Sequence, residues 1–118
     1  MGSSLERGTR EMKQMLIAPE TRLEKFSDIW DWADKNLIQY IGGFGDATTK
    51  RVCAVGAIAY YFSNGESVVP SFFSIEEDRN IWEKIEQISK KLKWWIPTLN
   101  DRGVTFKELA KMSRAVGF

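Results

Sequence analysis

The sequence predicts an all-α domain of about five helices packed around a central buried helix. Three observations carry that prediction. Helix starts are spelled four times in one chemistry, as Ser3 with Glu6, Thr21 with Glu24, Ser74 with Glu77 and Thr105 with Glu108. In each pair a hydroxyl can accept from the free amide three residues on, while the carboxylate reaches back to the cap's own N–H. Apolar residues then recur at three- and four-residue steps, the period of a core-facing helix. Finally, Val52 to Phe62 is apolar without a break and rich in small side chains, which suits a helix surrounded by protein.

Taken along the chain, the first element is a short, weakly amphipathic helix over about Ser4 to Ile17, stopped by Pro19, which disfavours helical geometry at Ala18. Met1-Gly2-Ser3-Ser4 resembles an expression-vector leader, so residues 1–20 are read as a peripheral, partly vector-derived helix and residues 21–118 as the helical core domain. Leu23, Phe26, Ile29 or Trp30, Ala33, Leu37 and Tyr40 or Ile41 predict a helix over 22–41. Gly42-Gly43-Phe44-Gly45-Asp46 interrupts it, because three glycines in four positions lose too much chain entropy to extend an element. The next helix is expected over about 47–62 with Asp46 as its cap. A buried strand is the alternative for so short an apolar run, and the alanine content favours helix. Ser63-Asn64-Gly65 ends it by turn chemistry, and Val68-Val69-Pro70 reads as extended or irregular.

Ile75 to about Lys93 is the best-specified helix. Glu76, Glu77 and Asp78 lie in its first turn and Lys90, Lys91 and Lys93 at its end, each sign complementing the helix dipole. Ile81 or Trp82, Ile85, Ile88, Leu92 and Trp95 mark the inner face. Pro97 is expected to close the region, Asn100-Asp101-Arg102-Gly103 to turn the chain, and a last helix to run from Phe106 to about Ala115 with Gly117 as its stop.

Composition narrows the chemistry. The chain of 118 residues is long enough for one compact domain. With 17 basic and 16 acidic residues, bulk charge offers no argument for a nucleic-acid or acidic-membrane partner, and any such partner must meet a local patch. Histidine is absent, which removes Ser-His and Cys-His nucleophile pairs, His-containing zinc sites and imidazole acid–base work. A carboxylate pair, a lysine or tyrosine, or an oxygen-ligated divalent ion remains chemically open, with Glu76, Glu77, Asp78 and Asp101 the acidic residues to test. The single cysteine, Cys53, has no intramolecular disulfide partner, and a reducing, cytoplasmic home is expected. No apolar run approaches the roughly 20 residues needed to span a bilayer, and no signal-peptide pattern opens the chain.

Four segments invite a functional reading. Lys90-Lys91-Leu92-Lys93-Trp94-Trp95 sets three cations beside two indoles, a mixture that holds phosphates and stacks bases, or sits at a membrane interface. Its structural reading is a lysine-finished helix whose Trp95 belongs to the core stripe. Gly42 to Arg51 looks like a phosphate loop ahead of a helix, but no lysine directly follows the last glycine and the glycine spacing is not that of a dinucleotide fingerprint. Cys53 would be reactive if Arg51 lowered its pKa, yet its Val, Ala and Gly neighbours make it a small core residue. Thr105 to Met112 has the pattern of the first helix of a helix-turn-helix; read instead as the recognition helix, with Lys107, Lys111 and Arg114 presented to phosphates, it follows a connection from Trp94 to Val104 that exceeds the usual tight turn.

Arg51-Val52-Cys53-Ala54-Val55-Gly56-Ala57-Ile58, followed by Leu99-Asn100-Asp101-Arg102-Gly103-Val104-Thr105 and a C-terminal helix, resembles an uncharacterised family of small bacterial and phage-encoded proteins. The likeness spans about residues 35 to 118. It implies a fold and a phage origin and supplies no mechanism. Without it, Asn100 and Asp101 are expected to satisfy local amides, Gly103 to take a positive φ, and Thr105 to cap the last helix.

Five tryptophans and seven phenylalanines are many for this length, so some must reach the surface and mark a binding face. The functional expectation is a non-enzymatic protein-interaction domain without cofactor, engaging a protein partner or a second copy as a homodimer, with a phage-encoded modulator of a host protein as its narrower form. The alternative is a nucleic-acid binder using Lys90, Lys91, Lys93, Trp94 and Trp95.

Overall fold

A computed structural model describes residues 22–118 of the chain. The predicted helix over Ser4 to Ile17 and the caps at Ser3 and Thr21 lie outside the described residues. The elements run α1 (Phe26–Asn36), β1 (Ile38–Gln39), β2 (Gly45–Asp46), β3 (Arg51–Val52), α2 (Ala54–Phe62), a 3-10 turn (Pro70–Phe72), α3 (Ile75–Leu92), α4 (Ile96–Asp101) and α5 (Phe106–Ala115). The fold is thus mostly helical but not purely α. A three-stranded sheet of order β1-β3-β2 interrupts the helices, with β1 parallel and β2 antiparallel to β3.

α1 buries Phe26, Ile29, Trp30 and Ala33, the stripe its spacing predicts, and lacks a side-chain cap at Lys25. It stops at Asn36, not near residue 41. Leu37 turns extended, Ile38 N–H donates to Lys50 O at 2.8 Å and Tyr40 N–H to Val52 O at 2.7 Å. Strand pairing thereby replaces the helix's last turn, and Ile38 and Ile41 stay more than half exposed.

The expected helix start at Ala47 is also corrected. Asp46 Oδ1 accepts from Thr48 N–H at 2.9 Å, so it organises the turn of a β2–β3 hairpin rather than a helix. Gly45 makes that hairpin possible: its φ is +113°, and a Cβ there would lie 1.9 Å from Arg51 O. α2 begins only after Cys53, whose Sγ accepts from Gly56 N–H at 3.3 Å. From Ala54 to Ala59 every residue is buried, and Trp30 Nε1–H donates to Ala54 O at 3.0 Å. Gly56 is a close-approach position, since a Cβ would meet Phe44 O at 2.3 Å.

Ser63, Asn64 and Gly65 end α2 as their types predict, with φ of 56° at Asn64 and 83° at Gly65. After Val68 and Val69, Pro70 opens a 3-10 turn. α3 carries the full capping box: Glu77 N–H donates to Ser74 Oγ at 3.2 Å and Ser74 N–H to Glu77 Oε1 at 3.1 Å. Ile81, Ile85, Ile88 and Ser89 form its buried line.

Pro97 does not close this region. It sits in the first turn of α4, where the missing N–H leaves no bond unmade, and Ile96, Leu99 and Asn100 are buried. α5 has the second capping box, between Thr105 and Glu108, and buries Phe106, Leu109, Ala110 and Ser113. Gly117, with φ of 96°, stops it: Gly117 N–H reaches Arg114 O at 3.1 Å and Phe118 N–H reaches Ser113 O at 2.9 Å. α5 lies along α1, where Ser27 Oγ–H donates to Phe118 O at 2.7 Å and Arg114 bridges Asp28 and Asp31 at 2.9 and 2.8 Å. That ion pair is exposed and contributes little beside the burial beneath it.

Asn100 is the junction. Its Oδ1 accepts from Ala54 N–H at 3.0 Å and from Gln39 Nε2 at 2.8 Å, and its Nδ2 donates to Tyr40 O at 2.9 Å. Gln39 extends the network, donating to Val104 O at 2.7 Å and accepting from Phe106 N–H at 2.9 Å. The local amide-capping role expected of Asn100 is therefore replaced by long-range bonds. Asn100→Ala leaves the buried Ala54 amide without its acceptor, takes the Asn100 donor from the Tyr40 carbonyl and strips Gln39 of one acceptor. We expect a loss of about 3 kcal/mol in urea unfolding, at roughly 1–3 kcal/mol per orphaned group. Gly56→Ala, which gains helix propensity in isolation, is expected to lower the urea midpoint because Phe44 must move away.

An aromatic cleft beside the basic helix end

The sheet loop, α3 and α4 meet at a cleft of about 250 Å³. Phe44, held between glycines in the loop before β2, forms one wall, Trp82 of α3 the second and Trp95 the third. The Phe44 and Trp82 rings meet edge-on, with centroids 6.3 Å apart and planes at 67°; Trp82 and Trp95 lie nearly parallel, 6.2 Å apart at 18°. Cys53 and Pro97 also line the cleft, and Asp101 brings a carboxylate to it. Phe44 is held in register by its own carbonyl, which accepts from Cys53 N–H at 3.0 Å. The loop is tied on its other side by Gly42 N–H to Asp101 Oδ1 at 3.4 Å.

The residues singled out from the sequence fall in three places. Lys90, Lys93, Trp94 and Trp95 line one shallow groove with Glu86 and Ser89. Lys91 lies on another groove with Gln87 and Phe118, which Lys90 also borders. Trp95 is the wall shared between the lysine groove and the aromatic cleft. It is 44% exposed, so it does not belong to the buried stripe of α3 as its spacing suggested. The helix ends before it: Lys93 adopts φ of 63°, and Trp94 N–H turns back to Ser89 O at 3.1 Å. Trp94 projects with 49% exposure, and the Arg102 guanidinium rests 5.3 Å from its ring centroid.

Sequence reasoning missed Phe44 and Trp82 as a pair. The available signals were an aromatic residue set among glycines and a tryptophan one step off the isoleucine stripe. Neither signal reports that a loop and a helix 38 positions apart come into contact.

Cys53 is nearly buried and its thiol is pushed up, first by loss of solvent and further by the Asp101 carboxylate, against lowering hydrogen bonds from the Gly56 and Val55 amides. That is the reverse of an activated nucleophile. The Gly42–Arg51 segment, which only superficially looks like a phosphate loop, is the hairpin and its approach. Among the described residues, no three His, Cys, Asp or Glu side chains gather as a metal site would need, and no helix is long and apolar enough to cross a membrane. No protein-family model, curated protein or solved structure matches the chain.

Alkylation of Cys53 in the native protein is expected to be far slower at neutral pH than that of a free thiol and to keep rising with pH after the free thiol has levelled. The raised folded value also sets a sign for stability. The contribution is whole below the ordinary thiol range and is lost as pH climbs through the raised value, so the urea midpoint should fall there in wild type and stay flatter in Cys53→Ser.

Proposed function

We propose that this chain is a non-enzymatic protein-interaction module that receives an anchor side chain of a partner polypeptide between Phe44, Trp82 and Trp95. The observation that carries the reading is the convergence of three partly exposed aromatic rings from separate segments on one cleft. Aromatic residues near the centre of an interface dominate binding energy because they release much area from water at small entropic cost. A volume of about 250 Å³ suits one side chain better than a cofactor, since drug-sized ligands and cofactors occupy roughly 300–1,000 Å³. The family resemblance extends the reading to a phage-encoded modulator acting on a host protein in the cytoplasm.

One observation favours a second reading. Lys90 and Lys93 flank Trp94 and Trp95 on a shallow groove, an arrangement for phosphate and a stacked base. The net charge of +1 and Glu86 in the same groove weigh against it.

Selection of a displayed peptide library on the full chain separates the two. Peptides sharing an anchor residue, whose affinity drops by about tenfold or more in Trp95→Ala and Phe44→Ala, are the expected result. The reading fails if no such peptides emerge while light scattering shows a mass increase with mixed DNA and RNA oligonucleotides at low salt that vanishes at high salt.

A further inference from the structure

We infer that the anchor accepted by the Phe44–Trp82–Trp95 cleft is an arginine side chain, its guanidinium lying on the indole face and its N–H fork meeting the Asp101 carboxylate. This rests on the interaction reading above and names the chemistry of the partner. The cleft joins two features that a guanidinium uses together. Trp82, Trp95 and Phe44 provide π-faces and edges, and Asp101 provides a formal negative charge on the same lining.

Asp101 is exposed, and the one hydrogen bond described for its carboxylate is the long 3.4 Å contact from Gly42 N–H. Among the described residues no cation forms an ion pair with it. None of the cation–π contacts among the described residues uses Phe44, Trp82 or Trp95; they engage Tyr61, Phe118 and Trp94. The neighbouring Arg102 is already placed over Trp94, so the chain uses this same chemistry one residue away without filling the cleft.

Arginine fits better than lysine for physical reasons. Its charge is delocalised over a plane and weakly hydrated, so it loses less on leaving water for an aromatic wall, and its planar fork matches a carboxylate in two bonds. An ammonium is a strongly hydrated point charge. An uncharged apolar anchor would leave Asp101 without a counterion beside the interface.

The test uses three blocked peptides, acetyl-Gly-Arg-Gly-amide and its citrulline and lysine counterparts, titrated into the 15N-labelled full chain while the indole N–H signals are followed. Citrulline keeps the shape and removes the charge. The arginine peptide is expected to move the Trp82 and Trp95 signals and leave that of buried Trp30, and to bind about tenfold more tightly than citrulline. Asp101→Asn should abolish that preference and Asp101→Glu should retain it, with urea midpoints near wild type showing that both variants are folded. Equal binding of arginine and citrulline overturns the inference, as does movement of Trp94 alone or the absence of any shift. If the library selection yields anchored peptides without arginine, the cleft is an apolar docking site and the charge assignment fails while the interaction reading stands. If neither experiment finds a peptide, both fall.

Discussion

The Asn100 carboxamide is wholly buried and serves three segments at once: the start of α2 through Ala54, the strand β1 through Gln39, and the loop after it through Tyr40. A buried amide cannot be left partly satisfied without a cost comparable to a sizeable share of a small protein's stability. Each partner is therefore held to within a hydrogen bond's tolerance. Gln39 passes the constraint to Val104 and Phe106, which brings the start of α5 into the same network. Four elements are thus positioned by two uncharged side chains, where apolar packing alone would allow them to slide.

The cleft is a consequence of that junction. Asn100 sets α4 against α2 and holds the Tyr40 end of the loop, and the loop then crosses the start of α2 closely enough to require glycine at position 56. Phe44 is consequently delivered over Cys53 and against Trp82. On the other side, the left-handed Lys93 reverses the chain after α3 so that Trp95 returns beside Trp82 instead of continuing the buried stripe. A lysine in that conformation costs more than a glycine would. It persists because the turn it makes is braced by Ser89, whose carbonyl accepts from Trp94 N–H and whose hydroxyl accepts from Ile96 N–H at 3.0 Å.

Electrostatics divide the surface around Trp95. Lys90 and Lys93 complete the α3 dipole on one side, and Asp101 faces the cleft on the other. With so little net charge, neither side is dominated by a long-range field, and recognition is decided by contacts within a few ångströms. The thiol at the cleft is held protonated above the ordinary thiol range. Its sulfur is occupied as a helix cap and its proton is retained by burial and by Asp101.

The sequence by itself determined what depends on neighbours three or four residues apart. The Ser74 and Thr105 capping boxes, the buried stripes of α1 from Phe26 to Ala33 and of α3 from Ile81 to Ile88, the turn after α2 and the stop at Gly117 all follow from residues within a helical turn or two of one another. Only the tertiary structure decided the elements whose partners are distant in the chain. Tyr40 and Ile41 match a helical stripe as well as a loop, and Val52 matches a buried helix as well as a strand. The choice fell to Lys50 and Val52 carbonyls accepting from β1 and its flank, and to Gly45 admitting the hairpin. Asn100 looks like a turn former in sequence because its type favours local bonds, and it became the junction because burial left it only distant partners. The cleft was least legible of all, since its walls come from three segments that no local period connects.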